Sequence, residues 1–69
     1  MKIRQKPIKA VAMGHSSRAL VESRSGKTYW VDIYVGGCRA CDRVARAINE
    51  GKINWVIVDT DSWRIVEAE

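Results

Sequence analysis

Tyr29-Trp30-Val31-Asp32-Ile33-Tyr34-Val35, followed at once by Gly36-Gly37 and Cys38-Arg39-Ala40-Cys41, is the stretch on which the fold turns. Tyr29, Val31, Ile33 and Val35 alternate with Trp30, Asp32 and Tyr34. That is the period of a strand with one apolar face and one face of aromatics flanking an acid. Past the glycines the period becomes helical over about residues 38–50. At about 100° per residue, Cys41, Val44, Ala45 and Ile48 share one stripe, while Arg39, Arg43 and Arg46 lie on the opposite side. Gly51 stands where a left-handed residue ends a helix. No Ser, Thr, Asp or Asn precedes Cys38, so backbone N–H groups are left free at the helix start.

Working outward, residues 3–13 read as a first strand, interrupted at Pro7, which has no N–H for a sheet ladder; residues 8–13 are its expected paired portion. Gly14-His15-Ser16-Ser17 is a turn cluster, residues 18–23 a second short strand, and Arg24-Ser25-Gly26-Lys27 a second turn. After the helix, residues 53–59 and 63–68, joined by Thr60-Asp61-Ser62, form another hairpin. The order is β-β-β-α-β-β. One helix covers one face of one sheet, so the expected fold is α+β: a single antiparallel sheet of four to five strands with one helix packed on one face. The second face is then partly open, and Trp30 and Tyr34 point away from the apolar set of their strand. Trp55 and Trp63, on paired hairpin strands, are expected to serve core or cross-strand packing.

The whole chain, residues 1–69, is read as one domain, because 69 residues bury too thin a core for separate cofactor and substrate domains. With 46% hydrophobic and 29% charged residues, the composition suits a soluble globule. No apolar run approaches the ~20 residues that span a bilayer, and no secretory leader is evident, so a cytoplasmic protein without membrane partners is expected. The formal charge of +4 is unevenly spread. Residues 1–27 hold seven basic residues against Glu22 alone, whereas residues 28–69 hold five basic and seven acidic ones. A basic first half suits a polyanion or acidic partner, or pairing with the acidic end within the fold.

Catalytic readings fail on composition and spacing. His15 beside Ser16 and Ser17 lacks an oriented third member, Asp59 and Asp61 flank a turn that favours Asp, and Gly36-Gly37 lacks the Lys-Ser/Thr ending of a phosphate loop. No enzyme and no cofactor is expected. Cys38 and Cys41 admit three readings. The first is structural, with Cys41 on the buried stripe and Cys38 at the rim; the others are a redox pair at a helix start and half of a metal site. The structural reading is preferred and no metal is assigned, since His15 is the sole further soft ligand. The binding residues expected instead are Arg39, Arg43 and Arg46, the aromatics Trp30 and Tyr34, and Lys6 and Lys9 of the basic first strand.

Two resemblances accompany this reading. Residues 31–59 resemble the opening of a glutaredoxin: strand, Gly, Cys-x-x-Cys, helix, Gly, strand, acids. Only ten residues follow Asp59 and the one proline is Pro7, so a complete thioredoxin-like fold is not expected. The opening Met1-Lys2-Ile3-Arg4-Gln5-Lys6-Pro7 resembles the starts of small phage-encoded proteins. The hairpins around a single helix carrying Ala45-Arg46-Ala47 are similar in layout to small anti-CRISPR proteins. That resemblance implies a phage or mobile-element protein that binds and inhibits or regulates a host protein or ribonucleoprotein. Direct binding of DNA or RNA is the alternative, and a Cys-x-x-Cys redox or metal protein the third. An exposed edge strand would let a second copy pair as a homodimer.

Overall fold

In the computed structural model, which describes all 69 residues, the elements run β1 (Lys2–Val11), a 3-10 turn (Gly14–Ser16), β2 (Arg18–Glu22), β3 (Thr28–Ile33), α1 (Cys38–Asn49), β4 (Val56–Asp59) and β5 (Arg64–Ala68). The α+β class and the order β-β-β-α-β-β are those read from the sequence. The sheet is mixed, however, where an antiparallel one was expected. β3 and β5 run parallel, paired at Asp32–Arg64 and Ile33–Ile65, and the strands close into a barrel in the order β1-β2-β3-β5-β4. Closure follows from β1, which is long enough to pair with β4 through residues 2–5 and with β2 through residues 6–11. Every strand thus has two neighbours, although β3 and β5 meet over two residue pairs only, which leaves the start of β3 unpaired on that side.

Pro7 does not interrupt β1. It sits opposite Val21, and the register slips immediately afterwards, so that Lys9 rather than Ile8 faces Leu20. A bulge is one of the few places a sheet accepts proline. The extra residue also resets the alternation. Gln5 and Ala10 are buried, while Lys6, Ile8 and Lys9 are all exposed.

The core consists of small and β-branched side chains: Ala10, Ala19, Val21, Val31, Ile33, Val56, Val58 and Ile65 from the strands, with Cys41, Ala45 and Ile48 from the helix. With half-buried Val44 packed against the core beside them, those three make up the stripe read from the sequence. α1 packs chiefly on β1 and the 3-10 turn. Polar side chains fasten it there. Asn49 Nδ2 donates to the Ala10 carbonyl and its Oδ1 accepts from the Ala10 N–H, both at 2.8 Å. Asp42 accepts from Ser17 Oγ and from the Gly14 N–H, also at 2.8 Å. Gly51, at φ 74°, ends the helix. Its N–H reaches the Ile48 carbonyl while that of Lys52 reaches Ala47, the two bonds of a Schellman motif. No helix is long and apolar enough to cross a membrane.

Candidate functional site

The outer face of β1, β2 and β3 gathers what the sequence scattered between Lys6 and Arg64. Barrel strands alternate inside and outside, so the residues between Ala19, Val21, Val31 and Ile33 must face out. The registers set them in rows. Lys6, Glu22 and Thr28 form one, Lys9, Leu20 and Trp30 the next, and Val11, Arg18, Asp32 and Arg64 a third. Tyr34 follows directly, its N–H donating 2.8 Å to the Ile65 carbonyl. Trp30 is 46% and Tyr34 61% exposed, so the aromatic face expected of this strand is open.

Each of these rings carries a guanidinium. The Arg18 carbon Cζ lies 5.5 Å from the Trp30 ring centre, and that of Arg64 lies 4.8 Å from Tyr34. Asp32 stands opposite both arginines in register, yet neither forms an ion pair with it within 4.0 Å. Both guanidinium groups lie within cation–π distance of their rings, and neither forms an ion pair within 4.0 Å, so their N–H groups remain available to an acceptor. Arginines close to half-open rings, with Lys9 in the Trp30 row beyond Leu20, form a surface that offers flat apolar area and cationic donors together.

The helix arginines are a separate feature. Arg39, Arg43 and Arg46 are exposed as expected and line a shallow hollow with Asp42, which contains neither Trp30 nor Tyr34. Asp42 is held below the usual carboxylate range, first by the Ser17 hydroxyl, then by the Gly14 N–H, with Arg46 adding a smaller effect. Two of the acids near the chain's end meet the basic first strand: Glu69 pairs with Arg4 at 3.3 Å, and Asp59 lies opposite Lys2. Part of the charge asymmetry is therefore spent within the fold, whereas Lys6 and Lys9 make no ion pair within 4.0 Å.

The cysteines divide as the sequence suggested. Cys41 is buried and its thiol donates to the Ile33 carbonyl at 3.1 Å; Cys38 is half-buried at the rim. Spacing did not reveal that Cys38 Sγ lies 3.0 Å from His15 Nδ1, because 23 residues separate them and only the docking of the 3-10 turn on α1 joins them. No group of three or more His, Cys, Asp or Glu side chains stands close enough to hold a metal ion.

Trp55 and Trp63 make the cross-strand contacts expected of them but lie outside the core. Trp55 is 38% exposed and lies under the Arg4 guanidinium at 4.8 Å, while Trp63 is 52% exposed. Trp63 precedes β5 in a left-handed conformation, φ 56°, and meets the Tyr29 ring edge-on at 5.8 Å. Neither belongs to the core, because the barrel interior is already filled by smaller aliphatic side chains. A scan against protein-family models finds no match, and searches of curated proteins and of solved structures find none either.

Proposed function

We propose that this protein is a non-enzymatic module of the cytoplasm that binds single-stranded nucleic acid on the outer face of β1, β2 and β3. The observation that carries the reading is the pair of arginine-stacked, half-open rings, Trp30 under Arg18 and Tyr34 under Arg64, with Lys9 beside them. Unpaired bases need flat aromatic area, and the backbone linking them needs cations at its flanks. The strand order offers support by analogy of layout alone. Five-stranded barrels of the OB type bind oligonucleotides and oligosaccharides on strands 2 and 3. A host protein or ribonucleoprotein, the other target the sequence suggests, would meet the same surface with less dependence on salt.

Fluorescence anisotropy with labelled oligothymidine and oligouridine of about 12 nucleotides separates these readings. Arg18, Arg64, Lys6 and Lys9 neutralising up to four phosphates should give a log–log salt slope of about −2 to −3. The double variant Trp30→Ala/Tyr34→Ala should weaken binding by at least about 30-fold, since stacking contributes about 1–3 kcal/mol per base and two rings are removed. Replacing Arg39, Arg43 and Arg46 with Gln should weaken it by less than about threefold, since that hollow holds no ring. Undetectable binding, or binding indifferent to loss of both rings, overturns the reading and returns weight to a protein target.

A further inference from the structure

At the end of the barrel away from α1 lies a second feature that the strand face does not use. β3 and β5 pair over two residues only, and beside the unpaired start of β3 an open groove of about 860 Å³ is lined by Ile3, Tyr29 and Trp63 with Arg4, Arg24 and Lys27. Its floor is fixed. Gln5, 5% exposed, accepts the Tyr29 hydroxyl at 2.9 Å, and Trp63 packs edge-on against the same ring. Burial raises the Tyr29 pKa, so the hydroxyl stays neutral and keeps donating. No acid lines the groove, and Arg24 and Lys27 have no carboxylate within 4.0 Å; Arg4 alone is engaged, by Glu69.

An apolar groove with one broad indole and a cationic rim selects an occupant that is flat at one end and anionic at the other. We infer that this groove binds a free nucleoside monophosphate, its base against the Trp63 indole and its phosphate between Arg24 and Lys27. The site is independent of the strand face, since none of the groove residues named here lies in the Trp30 row or in the Arg18 and Arg64 row. Trp63 takes its left-handed conformation, φ 56°, at the close of the turn between β4 and β5, where its N–H donates to the Asp59 carbonyl at 2.7 Å, and the residue stands 52% exposed beside the groove.

The test is a titration of the full isotope-labelled chain, followed at the Trp63 indole N–H resonance, which is assigned by its loss in Trp63→Ala. The probes are adenosine, guanosine, cytidine and uridine 5′-monophosphates, with adenosine and inorganic phosphate as controls. At least one monophosphate should shift that resonance saturably with a Kd below about 5 mM, with adenosine and phosphate each at least about tenfold weaker. The double variant Arg24→Ala/Lys27→Ala alters only an exposed turn and should weaken the shift by about tenfold, leaving oligonucleotide binding within about twofold. The inference is overturned by any of three results: no saturable shift below about 5 mM, adenosine matching its monophosphate, or an oligonucleotide moving Trp63 where no mononucleotide does.

Discussion

The two ends of the barrel are finished in different ways. At one, α1 closes the interior with Cys41, Ala45 and Ile48, and Asn49 and Asp42 fasten it by side-chain hydrogen bonds to backbone and hydroxyl groups of neighbouring segments. At the other, no helix intervenes. Trp63 and Tyr29 stand edge to face over a groove with a cationic rim and no acid. A chain of this size buries little surface, so polar fastening at one end adds what a thin core lacks. The open end gives up that closure and keeps accessible aromatic and charged area. Polar fastening and open aromatic and charged surface thus occupy different ends of one small barrel, and substitutions at each should register in different measurements.

The largest effect belongs to the closed end. Asn49→Ala removes both bonds to the Ala10 backbone at the rim of the helix contact, and should lower unfolding free energy by about 1–2 kcal/mol in urea titration, without altering oligonucleotide affinity. An unchanged midpoint would show that water replaces both bonds without loss.

A smaller effect depends on pH. Because the Ser17 hydroxyl and the Gly14 N–H hold Asp42 below the ordinary carboxylate value, the folded chain binds this proton less readily than the unfolded chain does. The resulting stabilisation is complete above the unfolded pKa and is lost as pH falls through the lower folded value. Melting temperature should therefore drop more steeply for the wild type than for Asp42→Asn below about pH 4. Parallel curves for the two proteins would remove Asp42 from the fastening of α1.

The smallest effect on stability is expected at the open end. Trp63→Ala loses one edge-on contact with Tyr29 and leaves the core untouched, so unfolding free energy should change by less than about 1 kcal/mol. A loss as large as that of Asn49→Ala would make Trp63 a structural plug and erase the contrast between the ends.

What the sequence disclosed follows the range of the interactions involved. The helix could be read to within a residue because its signals are local: Gly37 before it, Gly51 after it, and the stripe of Cys41, Ala45 and Ile48 between. The exposure of Trp30 and Tyr34 could also be read, since alternation with Val31 and Ile33 places them on the far side of one strand. Barrel closure could not. The β1–β4 pairing joins residues more than 50 positions apart, and the parallel β3–β5 seam rests on two residue pairs, neither announced by any turn. Pro7 was misread for a related reason, because the bulge that accommodates it is defined by the register with β2. The stacking of Arg18 on Trp30 and Arg64 on Tyr34, and the approach of His15 to Cys38, likewise depend on registers and docking that local pattern does not encode.

Photo-crosslinking measures most directly whether the strand face is the contact. An oligonucleotide carrying 5-iodouracil would be bound, irradiated, and the tryptic peptides mapped by mass spectrometry. Cleavage after Lys27 and Arg39 releases residues 28–39 as one peptide holding both Trp30 and Tyr34. Crosslinks concentrated in that peptide, and lost in Trp30→Ala/Tyr34→Ala, are the result expected. Crosslinks confined to residues 40–52, which hold most of the helix and its C-terminal turn, or none from an oligonucleotide that binds, would contradict it.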